Sequence, residues 1–138
     1  MANQIKERQD ILTKLNIYEL NPMQVEAIDV IEKTTNTILL SPTGTGKTLA
    51  FLLPLIEILD PNITDVQALI LVPSRELAIQ IEQVVRSMGS GFKVNAVYGG
   101  RPMSKDKIEI KHIPAILIGT PGRIADHFSN DRFSKDSI

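Results

Sequence analysis

The sequence contains no cysteine, and this absence limits its chemistry at once. Without thiols the chain has no disulfide, no thiolate metal site and no cysteine nucleophile. A charge excess of either sign is also lacking, since 15 Lys and Arg oppose 16 Asp and Glu and the net charge is −1. This balance argues against a protein that holds nucleic acid through a broad basic surface, so any such contact has to be local.

Long apolar runs are absent as well, and none approaches the roughly 20 residues that span a bilayer. The first ten residues, MANQIKERQD, are polar and carry both signs of charge, which fits neither a secretory signal nor a transit peptide. We therefore expect no membrane partner and an intracellular, reducing, cytoplasmic location. With 138 residues, of which 43% are hydrophobic and 22% charged, the chain has the composition of one globular domain with its own core.

What the sequence does contain is a series of short apolar runs separated by segments of helical spacing. These runs are predicted strands: Thr37–Leu40, Ala68–Val72, Val94–Tyr98 and Ala115–Gly119. Near-continuous apolar strands with helix-length crossovers predict an α/β fold, with a parallel sheet covered by helices on both faces. Because ligands collect beyond the carboxyl ends of such strands, the turns that follow them should form a single functional rim.

Two helices are predicted before the first run. An amphipathic helix spans Ile5 to Leu15 and ends at Asn16 in a left-handed conformation. A second helix opens at Pro22, with Asn21 as its N-cap. Its predicted apolar face consists of Val25, Ile28 and Ile31.

Residues 41–48, SPTGTGKT, have the spacing of a phosphate-binding loop. Gly44 and Gly46 let the backbone curl so that successive N–H groups point at phosphate oxygens. Lys47 adds a charge for the β- and γ-phosphates, and the Thr48 hydroxyl is placed to ligate Mg²⁺ at the start of the next helix.

One position departs from the strict loop pattern, because Ser41 stands where the pattern has glycine. A Gly/Thr-rich turn that merely precedes Lys47 is the alternative interpretation. The predicted strand before the loop and the predicted helix after it favour phosphate binding.

Two further turns begin helices that can meet an anion. In residues 73–78, PSRELA, Ser74 caps a helix whose first N–H groups and Arg75 face an incoming phosphate. An ordinary capped helix with Arg75 in solvent explains the same residues. In residues 120–123, TPGR, Thr120 is the predicted N-cap, with proline at the first helical position.

Two smaller features carry less information on their own. Gly99 and Gly100 follow the third run and would bring backbone close to the rim, although a simple turn explains them equally well. Gln24 has a side-chain amide that both donates and accepts, which suits an adenine edge. The alternative interpretation of Gln24 is an ordinary glutamine on the protein surface. His112 and His127 are interpreted as structural or solvated, and no metal-ligand cluster is visible.

Taken together, these motifs resemble the first RecA-like domain of DEAD-box RNA helicases, and the resemblance covers nearly the whole chain. The matching segments, in family order and approximate spacing, are residues 20–24 (LNPMQ), 41–48, 73–78, 98–100 and 120–123. The resemblance implies a P-loop NTPase fold, with residues 1–138 forming a partial amino-terminal ATP-binding domain of an ATP-dependent RNA helicase.

The resemblance also implies roles for individual residues. ATP and Mg²⁺ would be held by Gln24, Thr43, Gly44, Thr45, Gly46, Lys47 and Thr48, with Lys47 and Thr48 acting in catalysis and Thr48 on the metal. The RNA backbone would lie along Pro73, Ser74, Arg75, Gly99, Gly100, Thr120, Pro121, Gly122 and Arg123, without sequence preference.

The sequence departs from the family pattern in two ways. The family places a phenylalanine well upstream of the glutamine to stack on adenine, whereas the only aromatic residue before Gln24 is Tyr18, which is too close. The acidic Asp-Glu-Ala-Asp strand expected after residues 120–123 does not occur before Ile138, nor do the coupling motif and the second RecA-like domain. We therefore expect an incomplete sheet, an exposed strand edge that favours a homodimer, and no ATPase activity from this chain alone.

Two alternatives to a helicase segment remain open from the sequence. One is a non-catalytic nucleotide- or RNA-binding module, and the other is a different P-loop NTPase, such as a small kinase.

Overall fold

The computed structural model describes residues 7–138, and its centre is a three-stranded parallel sheet. The strands are β1 (Ala68–Leu71), β2 (Val94–Val97) and β3 (Ile116–Gly119), in the order β1-β3-β2. Ile116 pairs with Ala68 on one side and with Val94 on the other. The last three of the four predicted strands are therefore confirmed, each ending within one residue of its predicted bounds.

Helices cover both faces of this sheet, as predicted for an α/β fold. They are α1 (Arg8–Lys14), α2 (Pro22–Lys33), α3 (Lys47–Glu57), α4 (Arg75–Met88), α5 (Met103–Glu109) and α6 (Pro121–Ser129). Since side chains alternate along a strand, Ile116 and Ile118 pack towards α1 to α4, while Leu117 packs towards Ile110 at the end of α5 and Ile124 of α6.

The predicted strand Thr37–Leu40 is wrong. The segment makes no ladder with any strand in the described part of the chain, and Ile38 and Leu40 are 88% and 89% exposed. A strand exists only where a neighbour accepts its backbone hydrogen bonds. Strand β1 pairs with β3 alone within residues 7–138, so its other edge is unpaired and residues 37–40 do not occupy it.

The two amino-terminal helices agree with the prediction in outline. Helix α1 begins at Arg8, Ile5 lies outside the described residues, and Asn16 adopts a positive φ of 57°. Asn21 caps α2 in a capping box with Gln24, because each side chain bonds the backbone N–H of the other residue.

The apolar face of α2 agrees with the prediction at Ile28 but not at Val25. Val25 is 55% exposed, and the buried residues are Gln24, Ala27 and Ile28. The capping box turns Gln24 inward, and the helical repeat from that position carries the buried stripe through Ala27 and Ile28 instead of Val25.

Arg8 ties the first three helices together. Its guanidinium donates to both carboxylate oxygens of Glu57 at 2.6 Å and to Glu32 at 2.7 Å. The hydrogen bonds to Glu57 contribute most to raising the pKa of Arg8 above its ordinary value, despite partial burial. This three-helix contact fixes the amino-terminal segment against α3, the helix that follows the phosphate loop.

Candidate nucleotide and RNA site

Residues 41–48, which we call the phosphate loop, have the backbone that an anion cradle requires. Gly44 and Gly46 take left-handed conformations, with φ of 81° and 89°. A Cβ at Gly44 would meet nothing within 4 Å, so this part of the loop is open to an incoming group. Helix α3 begins at Lys47 without a capping side chain, which leaves its first N–H groups for a ligand.

The side chains of the phosphate loop bond to the loop itself. The Lys47 ammonium donates to the carbonyl of Ser41, and to that of Pro42 at 3.2 Å. The hydroxyls of Ser41 and Thr45 lie 2.5 Å apart, and Thr45 also donates to Pro42. Ser41, the departure from the strict pattern, therefore helps to close the loop. Binding a triphosphate requires Lys47 to turn from these carbonyls towards the phosphates.

The amides of α2 and its N-cap hold the phosphate loop from outside. Gln24 Nε2 donates to the carbonyl of Gly46 at 3.1 Å, and Asn21 Nδ2 donates to that of Thr45 at 3.0 Å. Gln24 is 7% exposed, and its Oε1 already accepts from the Asn21 N–H. One amide hydrogen and one lone pair of Gln24 remain for an adenine edge. The Tyr18 ring is fully exposed.

A cavity of about 750 Å³ lies beside the phosphate loop. Lys47 and Thr48 contribute to its wall, together with Phe51 of α3 and with Leu77 and Ile81 of α4. The cavity therefore joins the phosphate loop to the helix that begins at PSRELA. Its size lies within the range of pockets that hold small ligands.

The structure brings the PSRELA and Gly99-Gly100 segments together. The Ser74 hydroxyl accepts from the Leu77 N–H at 3.2 Å, which confirms it as the cap of α4. Arg75 is exposed, and a Cβ built on Gly100 would lie 3.6 Å from its Nη1. Gly100 has a φ of 81°, so the turn between β2 and α5 depends on a glycine there.

The TPGR segment occupies the adjoining strand end. Thr120 is the N-cap of α6 and Pro121 its first residue, as predicted, although the Thr120 side chain makes no capping bond. A Cβ on Gly122 would meet nothing within 4 Å. Gly119 is different, because a Cβ there would lie 2.6 Å from the carbonyl of Val97. The same Cβ would lie 2.7 Å from Cδ1 of Ile124 in α6, a close approach of α6 to the sheet that sequence reasoning did not identify.

Arg123 points inward. Its side chain is 11% exposed, and its Nη2 donates to the carbonyl of Arg101 at 2.5 Å. Its Nη1 lies 3.5 Å from a carboxylate oxygen of Asp106. The remaining predicted RNA-facing residues, 73–75, 99–100 and 120–122, lie at the carboxyl ends of neighbouring parallel strands, and we call them the strand-end rim.

The sequence interpretation missed a buried ionic cluster beneath this rim. It consists of Asp106 of α5, His127 of α6, and Arg101, Arg123 and Arg132. Burial alone would lower the pKa of Arg101, but its contacts with Glu109 and Asp106 raise it above its ordinary value. His127 is structural, as predicted, and His112 is exposed. The one sequence signal for the inward direction of Asp106 is its spacing of four residues from Ile110, which places both side chains on the same buried face of α5.

Metal-binding clusters and membrane-spanning helices are both missing from the described part of the chain. Within residues 7–138, no group of three or more His, Asp or Glu side chains is arranged to hold a metal ion. In the same range, every helix is too short or too polar to cross a bilayer.

Comparison with known proteins places these features in a family. The DEAD/DEAH box helicase family matches residues 21–137. The chain is 38% identical over 122 residues to the ATP-dependent RNA helicase CshA of Limosilactobacillus reuteri, covering 87% of this chain and 24% of that protein. It is 41% identical over 117 residues to the DEAD-box ATP-dependent RNA helicase RhpA of Helicobacter pylori, covering 83% and 24%.

Solved structures agree with this match. A hypothetical ATP-dependent RNA helicase from Sulfolobus tokodaii superposes with a TM-score of 0.81 at 26% identity, covering 95% of this chain and 39% of the other. The yeast DEAD-box splicing factor Prp28 gives 0.80 at 26% identity, covering 94% and 33%. The chain thus has the RecA-like fold, and it spans about a quarter of the length of the curated relatives above. It belongs to the DEAD/DEAH box helicase family.

Proposed function

We propose that this chain is the ATP-binding part of an ATP-dependent RNA helicase, in which ATP hydrolysis is coupled to unwinding or remodelling of RNA. In this proposal residues 1–138 are a partial amino-terminal domain that works with a second RecA-like domain. The observation that carries the proposal is the open, glycine-dependent phosphate loop at the start of α3, with a 750 Å³ cavity beside it. We also propose a cytoplasmic location, since this activity needs both ATP and RNA.

The loop residues divide the work of nucleotide binding. Backbone N–H groups of residues 43–48 would receive phosphate oxygens, and Lys47 would supply a positive charge once it leaves the carbonyls of Ser41 and Pro42. The Thr48 hydroxyl is the group we assign to Mg²⁺. A bound Mg²⁺ neutralises charge between the β- and γ-phosphates. Gln24 would keep the loop in shape while its free amide hydrogen meets the adenine.

RNA binding is the second half of the proposal. The strand-end rim combines an exposed Arg75, the helix ends at Ser74 and Thr120, and glycine backbone open to close approach. These groups recognise phosphate and sugar, and they carry no base-edge reader. We therefore propose contact with the RNA backbone without sequence preference.

The scarcity of carboxylates in the cavity wall favours nucleotide binding without hydrolysis for the isolated chain. Among the described residues, Glu32 is the one acid in the cavity wall, and its carboxylate is paired with Arg8. Phosphoryl transfer needs a carboxylate to hold the metal and a positioned water. We propose that the isolated chain binds ATP without hydrolysing it.

Nucleotide titration tests the proposal. We expect the chain to bind a fluorescent ATP analogue with Mg²⁺, and ATP to compete better than GTP. Lys47→Ala should weaken binding at least about tenfold, because it removes a charged phosphate contact. Lys111→Ala, on an exposed lysine of the chain, is the control and should change nothing. RNA-stimulated turnover that Lys47→Ala abolishes would contradict the binding-only role, and equal binding of both lysine variants would contradict the site.

We also propose that the unpaired edge of β1, which we call the free edge, pairs with a second copy of the chain. Ile38 and Leu40 are exposed next to the cavity, and β1 leaves one edge unpaired within residues 7–138. Such edges recruit additional strands. The occupant we propose is the 37–40 segment of another copy.

A further inference from the structure

The buried ionic cluster connects the two turns of the strand-end rim that follow β2 and β3. Arg101 belongs to the turn that follows Gly99-Gly100, and Arg123 belongs to the first turn of α6. Between them lies Asp106 of α5, which is fully buried. An ionised carboxylate in such a position is costly unless cationic or hydrogen-bonding groups surround it.

The contacts of Asp106 come from three separate places. Its Oδ2 lies 2.9 Å from His127 Nε2 and 3.5 Å from Arg123 Nη1. Its Oδ1 lies 3.5 Å from Arg101 Nε and has no hydrogen-bond partner in the described structure. One carboxylate therefore faces the turn after β2, the start of α6 and the end of α6 at once.

The hydrogen-bond geometry assigns the tautomer of His127. Arg132 Nη1 lies 3.0 Å from His127 Nδ1, and arginine can only donate. Nδ1 is therefore the acceptor, and Nε2 carries the hydrogen that it donates to Asp106. The cationic side chains that face Asp106 are Arg101 and Arg123, and Arg101 is also paired with Glu109.

Each arginine is in turn bonded to the backbone. Arg123 Nη2 donates to the carbonyl of Arg101 at 2.5 Å, and Arg101 Nη1 donates to that of Ala96 at 3.2 Å. The two guanidinium groups thus connect the first turn of α6 to the glycine turn and to strand β2. Both guanidinium groups point inward, whereas Gly99, Gly100 and Gly122 are exposed.

We propose that Asp106 is a positioning residue, which holds the Gly99-Gly100 turn and the start of α6 at the spacing at which both contact one RNA backbone. This inference rests on the proposed RNA binding. In this inference the RNA contacts backbone groups of the two turns. Arg101 and Arg123 do not contact RNA but hold these turns in position through their hydrogen bonds to backbone carbonyls.

The variant Asp106→Asn distinguishes a positioning role of Asp106 from a purely electrostatic effect on RNA affinity. Asp106→Asn keeps the size of the side chain and removes a negative charge, so electrostatics alone predicts tighter RNA binding. Positioning predicts the opposite, since an amide no longer balances Arg123 and leaves Arg101 paired with Glu109 alone. Asp126→Asn on the exposed side of α6 is the matched control, because it makes the same charge change away from the buried cluster.

The experiment is fluorescence anisotropy of a short labelled oligouridylate with the full chain at several salt concentrations. We expect Asp106→Asn to bind about fivefold more weakly or worse. Its salt slope should fall by about 0.7 for each RNA phosphate that the variant no longer binds. Asp126→Asn should bind at least as well as the unmodified chain. Affinity for the fluorescent ATP analogue should stay unchanged in both variants, because the phosphate loop is separate from the cluster.

Other outcomes have distinct meanings. If Asp106→Asn binds ATP normally and binds RNA as tightly as Asp126→Asn with an unchanged slope, the positioning role is overturned. If Asp106→Asn does not fold, Arg123→Lys decides, because it keeps the charge but removes the fork that reaches Arg101 and Asp106 together. A normal slope in that variant overturns the role, and a reduced slope supports it. Absence of RNA binding by the unmodified chain would instead overturn the proposed function on which this inference rests.

Discussion

At the scale of single residues, the proposed nucleotide binding depends on a few glycines and amides whose geometry allows no ordinary substitute. Gly46 is the clearest case, because its φ is 89° and an added Cβ would lie 2.4 Å from Gln24 Nε2. Gly44 shares the left-handed backbone and has open space around it. Comparing alanine substitutions at Gly44 and Gly46 therefore separates the cost of left-handed backbone strain from the cost of disturbing the contact with Gln24.

Gly46→Ala should therefore destabilise the chain more than Gly44→Ala. Left-handed strain alone costs about 1–2 kcal/mol for either alanine. Only Gly46→Ala also displaces Gln24 from the loop, so its decrease in free energy of unfolding should be the larger. Urea denaturation without nucleotide measures both. Equal decreases would contradict the contact between α2 and the phosphate loop.

Gln24→Glu tests the other side of the same contact. Replacing the amide with a carboxylate removes the donor to the Gly46 carbonyl and the hydrogen we assign to adenine. We expect weaker ATP binding and a smaller preference for ATP over GTP, measured by competition titration. Asn130→Asp changes an exposed amide in the same way and serves as the control. An unchanged preference for ATP in Gln24→Glu would exclude a role in base selection.

At the scale of helices and strands, sequence patterns predicted most of the architecture. Three strands, the caps Asn21 and Ser74 and the left-handed Asn16 follow from local chemistry and were confirmed. The segment Thr37–Leu40 was predicted incorrectly because apolar content reveals a tendency to be buried and not the presence of a pairing partner.

In the candidate site, as in the fold, the features set by local sequence were predictable and those set by tertiary packing were not. The turns of the strand-end rim were predictable, since the Gly and Pro residues and the caps set them locally. The inward direction of Arg123 and the cluster around Asp106 were not, because they depend on how α5 and α6 meet. Pro54 lies at a buried position inside α3. Because proline usually interrupts a helix, the sequence alone would not predict that α3 continues through this residue.

Arg8 gives a prediction at this scale, since it joins α1 to α2 and α3. Arg8→Met keeps an unbranched side chain and removes the ion pairs, and we expect the free energy of unfolding to fall by about 0.5–1 kcal/mol, less at high salt. Lys33→Met removes the exposed pair with Asp29 and should have no measurable effect. Urea denaturation at low and high salt gives both values. Equal stability of the two variants would mean that Arg8 does not fix the amino-terminal helix.

At the scale of the whole molecule, the central question is how the chain completes its sheet and how its two sites are arranged. The exposed Ile38 and Leu40 belong to the segment that would pair with the free edge, and α5 packs on the opposite face of the sheet from α1 to α4. An association through the free edge should therefore be sensitive to charge at Ile38 and Leu40 and insensitive to charge on α5.

We expect the chain to form dimers whose population rises with concentration in light-scattering measurements. The double variant Ile38→Lys and Leu40→Lys should be monomeric, because lysines on an edge oppose strand pairing. Ile108→Lys on the exposed side of α5 should leave the dimer intact. A monomer at all concentrations, or a dimer equally sensitive to both changes, would contradict pairing through this edge.

The most direct test of nucleotide and RNA binding is to map both ligands on one sample by backbone amide NMR, which suits a chain of 15.3 kDa. Adding ATP with Mg²⁺ should shift the amides of residues 43–48. Adding oligouridylate should shift those of Gly99, Gly100 and Gly122 and leave the phosphate loop largely unchanged. Shifts by either ligand confined to other parts of the chain, or no shift in the phosphate loop at saturating ATP, would contradict the central claim that this fold holds a nucleotide at the phosphate loop and an RNA backbone at the strand-end rim.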